Sequence, residues 1–579
     1  MSASNKKKLR KEQNASKMTA KQTQAEKEAK QLKRYTTTFI AIMAIVLVAA
    51  IAIVTVRGVI QSGNLQKNSI AAVVGDKELN AVELSYYYFD AIDENYSNWY
   101  SQYGSNTAVY LQLLMNLDIT QPLDKQTYDS KTGQTWASRF VDLALENAKR
   151  TYVLCNLAKD AKFELPEDSK KAIDSQIATL SFWAAYSGYS DVDKYLGTTY
   201  CFGADVDNYR SYLEECALAD AYLQHYSDSL TYADEQIREF EKEKLINYNS
   251  YSYASCYLSY TYFLGEGTKD DKGQVTYTEE ERDAARAKAK EVAESLLGKK
   301  DFEEFELAVK ALEINKDKTN VTATNNKNVL GSKLPALLKD WLTNADRVAG
   351  DSEVIVNEYT PETDKKDEEE KDEEKTEDEK TETEEDKKEE EKVINGYYVV
   401  LYNGVNDNKV PTVDVHHLLK KFEGGTKDKD GNMTYTDAEK ETAKEKAEKL
   451  LADWEKMEGG KTLENFKELV KKNTDDTGSK ENGGLYENIA YDQSFVEPFL
   501  NWCIDESRKV GDVDIIETEY GYHIMYFAER NEMNYRDLII TTEMRNEDTN
   551  KWYEEQLKTA TATAKDLEWI DLDIVIGNR

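Results

Sequence analysis

The sequence predicts an α+β protein: an N-terminal transmembrane helix, a mainly helical domain, and two tandem copies of a smaller unit in which helices cover an antiparallel sheet. Three observations carry that prediction. Thr36–Val56 holds no charged residue, close to the roughly 20 residues a helix needs to cross hydrocarbon. Between 139 and 225 the apolar side chains recur at three- and four-residue intervals, the period of a helix face. Beyond 250, a turn motif, an Ala/Lys/Glu helix and a tyrosine-rich strand follow one another twice.

Residues 1–34 form a basic tail, with eleven Lys/Arg against three Glu. A basic flank stays on the cytoplasmic side. The anchor at 35–57 would then place the N-terminus in the cytoplasm and the bulk of the chain outside, single-pass in the cell membrane. A cleaved signal peptide is the competing reading. It would have a shorter apolar region and a small-x-small cleavage site, and this segment has no clear one. No cysteine follows the run to carry a lipid. A buried core helix fits poorly because the segment has no polar face.

A formal charge of −35 argues against nucleic acid and against anionic membrane surfaces as partners. The 38 tyrosines offer amphipathic contact area, or simply a tyrosine-rich core. Five scattered cysteines (155, 201, 216, 256, 503) are too few for a disulfide framework, and no two have metal-ligand spacing. Neither a metal nor a cofactor is expected, and oligomeric state is not legible.

The helical domain spans 68–250. A short strand at Ala71 ends in Gly75-Asp76, and Asn80 with Glu83 has the spacing of a capping box opening a helix. Helical spacing continues at 139–161 and 205–225, Pro166 breaks between helices, and another helix starts near Thr231 and runs toward Ile246. His225, alone on its helix, reads as structural. A last helix around Met544–Ala562, within a C-terminal segment 540–579, carries Trp552, Tyr553 and Leu557.

The tandem copies occupy 251–405 and 411–530. Gly267-Thr-Lys-Asp recurs as Gly425-Thr-Lys-Asp. Trp341, Arg347 and Gly350-Asp351 recur as Trp502, Arg508 and Gly511-Asp512. The closing strand Gly396-Tyr-Tyr-Val-Val-Leu recurs as Gly521-Tyr-His-Ile-Met-Tyr. An acidic stretch at 361–392 interrupts the first copy. Its composition cannot bury a core, so it reads as a disordered loop insertion.

The second copy resembles the parvulin family of peptidyl-prolyl isomerases over roughly 411–530. The matching order is His417 before Leu418-Leu419, a helix with Ala443 and Ala447, Phe466, Asp475-Asp476, Gly483-Gly484-Leu485, Pro498-Phe499, and Thr518-Glu-Tyr-Gly-Tyr-His523. The Gly-Gly-x-Leu spacing of the family is shortened here. The resemblance implies a catalytic group of His417, His523 and Asp476, and a proline-binding cup of Leu485, Phe495 and Phe499 with Thr518 beside it. The bland alternatives are a histidine pair that only holds the sheet, a capping role for Asp476, and phenylalanines that are plain core. Adjacent His416 and His417 should point to opposite faces of a strand, which speaks against a shared metal. By the repeat spacing, Ser259 stands for His417 and Tyr398 for His523, so the first copy reads as silent.

The opening strand, turn and capped helix resemble the start of the chaperone domain in SurA-like and PrsA-like foldases. That resemblance implies that 540–579 returns to complete the helical domain. It also implies a membrane-anchored foldase that isomerises X-Pro bonds in unfolded exported polypeptides, in contact with the bilayer through 35–57. The alternative is a non-catalytic holdase or scaffold whose parvulin folds only bind.

Overall fold

A computed structural model describes residues 3–242, 244–269, 274–316, 319–360, 392–428, 432–491 and 495–578. Nearly all of the acidic stretch lies outside the described residues. The chain divides into two units: residues 1–231 with 545–579, and residues 232–544. The first unit thus ends at 231, not 250. The helix Asp234–Lys242 belongs to the second, where Ile237 packs with Tyr248 and Ile540.

In the first unit, helix α1 (Ala3–Gln61) carries the uncharged run, whose side chains are exposed throughout. A helix with no buried face is not a core helix. By length and composition it can cross a membrane. Strands β1 (Ala72–Val74) and β2 (Lys77–Leu79) form a hairpin, and helix α2 (Ala81–Tyr103) follows. Asn80 accepts from the Glu83 N–H at 3.0 Å while the Glu83 carboxylate accepts from the Asn80 N–H at 2.8 Å. Helices α3 (Trp136–Asp160) and α4 (Val206–Ser229) pack on α2. Tyr86, Tyr87, Tyr209 and Tyr212 are all buried here, and the Tyr212 hydroxyl donates to Asp90 at 2.6 Å. The C-terminal segment joins this unit. Its helix spans Tyr535–Leu557, starting before Met544 and ending short of the expected Ala562, and a strand, Ala562–Ala564, follows. That strand pairs antiparallel with β1, Ala72 opposite Ala564.

The second unit holds two four-stranded antiparallel sheets with the same strand order. In the first, β3 (Ser250–Ser259), β4 (Thr324–Leu330), β5 (Ser352–Tyr359) and β6 (Val393–Asn406) run in the order β4-β3-β6-β5. In the second, β7 (Pro411–Lys421), β8 (Leu485–Ile489), β9 (Val513–Thr518) and β10 (Gly521–Asn534) run in the order β8-β7-β10-β9. Helices α5 (Glu279–Ser295) and α6 (Phe302–Lys310) cover the first sheet, α8 (Asp437–Glu455) and α9 (Leu463–Asn473) the second. On the opposite faces sit the short helices α7 (Ala336–Leu342) and α10 (Glu497–Ile504).

The repeat is a repeat of bonds as well as letters. The N–H of Gly350 donates to the Tyr402 carbonyl, and that of Gly511 to the Phe527 carbonyl, both at 2.8 Å. Tyr402 and Phe527 donate back to Asp351 and Asp512. Arg347 lies 4.1 Å from the ring centre of Trp341, and Arg508 lies 4.6 Å from that of Trp502.

The strand registers correct one equivalence. Gly396 faces Ser259, whereas Gly521 faces Lys421. Counting along both ladders, the position of His417, opposite Met525, is held in the first sheet by Ser255, opposite Val400. The sequence alignment named Ser259 because a 3-10 turn, Tyr260–Phe263, lengthens the first copy between strand and turn motif. Tyr398 does occupy the position of His523.

Candidate active site

The site lies on the face of the second sheet that α10 covers. Side chains on β7 alternate, so His416 and His417 separate. The His416 Nδ1–H donates to the Gly483 carbonyl at 2.8 Å on one face. His417 enters the other. Its Nδ1 lies 3.0 Å from Nδ1 of His523 on the neighbouring strand, with ring centres 5.2 Å apart. Both imidazoles are buried.

The loop after α9 brings the carboxylate. Asp475 is tied to β7: its N–H donates to the Leu419 carbonyl at 2.9 Å, and its carboxylate accepts from Lys420 Nζ at 2.8 Å and from the Lys421 N–H at 3.1 Å. With Asp475 fixed on the strand, Asp476 is delivered to His417, Oδ2 to Nε2 at 2.9 Å. The same oxygen accepts from the Ser479 hydroxyl at 2.5 Å and the Tyr486 hydroxyl at 3.2 Å. The His417 N–H and the Ser479 hydroxyl hold the Asp476 carboxyl well below the usual carboxylate range, against a smaller opposing effect of burial.

At the other end, Thr518 Oγ1 lies 2.9 Å from His523 Nε2. Proton positions follow from the partners. Asp476 only accepts, so His417 Nε2 carries a hydrogen, and in the neutral tautomer its Nδ1 accepts. His523 must then donate from Nδ1, and its Nε2 accepts from Thr518. The result is a one-way chain, Thr518 to His523 to His417 to Asp476. Burial and the neighbouring His417 push the His523 pKa down to about 3, with a weaker upward pull from Asp476. His523 is therefore neutral at physiological pH.

Aromatic rings surround the imidazoles. Phe499 meets His417 at 5.4 Å and His523 at 5.5 Å, edge to face. Phe495 stacks on Phe499 at 5.0 Å, and Tyr486 stands 5.2 Å from Phe495 and 5.0 Å from His417. The structure thus gathers His417, His523, Asp476, Thr518, Phe495 and Phe499. It does not bring in Leu485. That residue pairs with His416 and shares its face, while Tyr486, paired with Val415, takes the side facing His417. The reason is the turn before it. Gly484, at φ +81°, backs directly onto β7; a Cβ there would lie 2.1 Å from the His417 carbonyl oxygen. That contact sets the register, and the first side chain on the site face becomes Tyr486.

Ser479 and Tyr486 escaped the sequence reading. Alternation from Gly484 would have found Tyr486. Ser479, three residues past Asp476 in a loop, carries no periodic mark.

Comparison with known proteins adds the family. Residues 398–531 match the model of the PPIC-type PPIASE domain. The match begins at Tyr398, in β6 of the first sheet, ahead of the expected 411. No curated protein matches the chain. Among solved structures, the peptidylprolyl isomerase PrsA of Bacillus anthracis is 19% identical over 26% of this chain and 59% of its own, with a TM-score of 0.16. PrsA of Bacillus subtilis is 22% identical over 25% and 47%, at 0.16. A SurA-like chaperone of Campylobacter jejuni is 18% identical over 26% and 51%, at 0.15. The matches span about half the length of these proteins. By that family match, residues 398–531 hold a PPIC-type PPIASE domain, of the parvulin kind that the sequence resembles.

Proposed function

We propose that the chain is an extracytoplasmic foldase, held in the membrane by 35–57, that isomerises X-Pro bonds in exported, unfolded polypeptides and binds such chains through its helical unit. One observation carries the catalytic part: the oriented chain Thr518–His523–His417–Asp476 lies directly beside the half-open ring cluster of Tyr486 and Phe495.

An X-Pro bond turns slowly because the amide must leave conjugation, a barrier of about 18–20 kcal/mol. No covalent catalyst is needed. A site that holds the proline ring against Phe495 and Phe499 and favours the twisted amide electrostatically lowers that barrier. Each tenfold in rate takes about 1.4 kcal/mol. Twisting localises the nitrogen lone pair and removes negative charge from the carbonyl oxygen. The ionised Asp476 suits an amide whose carbonyl is losing its negative character, and the Tyr486 hydroxyl beside it offers a polar contact for the substrate backbone. His417 and His523 hold that carboxylate in place and keep it charged.

Activity is assigned to the second copy alone. Ser255 and Tyr398 replace the two imidazoles in the first, and Tyr257 and Tyr398 there contact each other at 4.7 Å.

A non-catalytic holdase is the second reading. It is favoured by the bonding of all four ring nitrogens of His417 and His523 within the fold. The deciding experiment uses the full chain in detergent on an Ala-Pro peptide series, beside Asp476→Ala. Acceleration that the substitution reduces supports the isomerase. A folded chain that suppresses client aggregation without accelerating isomerisation supports the holdase.

A further inference from the structure

The uncharged run ends at Val56, and the chain meets the rest of the first unit almost at once. Helix α1 continues to Gln61, and Gly63 follows, buried and at φ +72°. A Cβ on Gly63 would lie 2.2 Å from Gly203 Cα, and one on Gly203, at φ +101°, would lie 2.9 Å from the Gly63 carbonyl oxygen. Backbone meets backbone, which leaves no slack for a pivot. From Val56 to the end of the helix at Gln61 the rise is about 7.5 Å. With 36–56 crossing the bilayer, as proposed above, the loop at Gly203 would stand at headgroup height.

Phe202, in that loop, is partly exposed and lies beside α1. Together with Ile53, Val56 and Ile60 it lines an apolar groove of about 530 Å³, with Arg57 on the rim. Gln61 and Phe202 also border a more polar concavity of about 570 Å³ that contains Lys67, Lys194 and Thr198. Among the described residues Arg57 has no ion-pair partner, while Lys67 is paired with Asp205 at 2.7 Å and Lys194 lies 3.8 Å from Asp191.

We propose that groove and concavity together hold one phospholipid of the outer leaflet. An acyl chain lies along Ile53–Ile60 under Phe202, and the phosphodiester meets Arg57 and Lys194. Lipid is favoured over a second protein because the groove continues the uncharged run outward, on a surface that hydrocarbon already bathes. The arginine at the end of the run, with an apolar stem and an unpaired charged head, is placed to reach a phosphate. Around the site Arg57, Lys67 and Lys194 stand against Asp191, Asp193 and Asp205, three charges of each sign, so the acidity of the whole chain does not bar it.

The inference rests on the anchor reading of α1, and the test separates the two. The full chain is reconstituted in phosphatidylcholine vesicles, with p-benzoylphenylalanine in place of Phe202 or, as a control, of Leu113, which is 74% exposed. Alkaline carbonate extraction is run on the same vesicles. The expected result is a chain that stays in the pellet and, on irradiation, a phospholipid-mass adduct at 202 that is absent at 113 and reduced by Arg57→Gln. A pelleted chain with no adduct at 202, with equal adducts at both positions, or with a chain-to-chain adduct at 202, overturns the lipid site and leaves the anchor standing. A chain extracted by carbonate overturns both.

Discussion

Acid should weaken the second sheet through His523, and the size of the effect follows from its surroundings. A free histidine titrates near 6.5. In the folded chain burial and His417 lower that value to about 3. Between the two values the unfolded state binds a proton that the folded state refuses. The folded form is therefore fully favoured above about pH 6.5 and loses ground as pH falls toward 3, by up to about 1.4 kcal/mol per unit. From pH 6.5 to 4.5 the loss is at most about 3 kcal/mol. His523→Gln removes the titration and, at every pH, some hydrogen bonding worth about 1 kcal/mol. The wild-type chain should then be the more stable at pH 7.5 and the less stable at pH 4.5. Urea unfolding of the second unit, followed through Trp454 and Trp502 by subtracting Phe variants of each, reads the difference. Parallel stability–pH curves for wild type and variant would refute the assignment of a buried, neutral His523.

Three further outcomes follow from the site. Asp476→Asn keeps the shape but removes the charge, and peptide isomerisation should drop by about tenfold or more, equivalent to about 1.4 kcal/mol of barrier, with the far-UV spectrum unchanged. Phe495→Ala should raise KM for proline peptides more than it lowers kcat, because the ring is half-buried and contacts neither imidazole in the way Phe499 does; equal loss in both constants would argue against a binding role. Gly484→Ala adds a Cβ 2.1 Å from the His417 carbonyl oxygen at a left-handed backbone position, and should cost at least about 1–3 kcal/mol in thermal or urea unfolding; an unchanged midpoint would show that β7 and β8 are not held in this register.

What the sequence made legible was what local chemistry repeats. Trp502, Arg508 and Gly511-Asp512 could be matched to their partners at 341, 347 and 350–351 because the same backbone bonds and ring contact require those residue types in both copies. His417, His523 and Thr518 could be placed together because the order of motifs resembles the parvulins, and that resemblance implies one site for all three. Misplacements arose where spacing was not conserved. Four residues of 3-10 turn moved the partner of His417 from Ser259 to Ser255, and one close-packed glycine exchanged Leu485 for Tyr486. The end of the helical unit was set late because Asp234–Lys242 has good helical spacing but buries Ile237 in the other unit. The strand Ala562–Ala564 could not be seen at all from its own composition, since its structure comes from pairing with Ala72–Val74, almost five hundred residues earlier.

That pairing also constrains the order in which the protein can be built. The first unit takes β1 from near the start of the chain and its third strand from near the finish, with the whole of 232–544 threaded between. During synthesis the edge of β1 stays unpaired until 562–564 arrive, while both sheets of the second unit already have every strand they need. The second unit can mature first. A truncation that removes only 560–579 would leave a nascent-like state: an isomerase domain intact beside a helical unit that never closes. The sheet at 72–79 therefore waits, for its third strand, on residues made after the whole of the second unit.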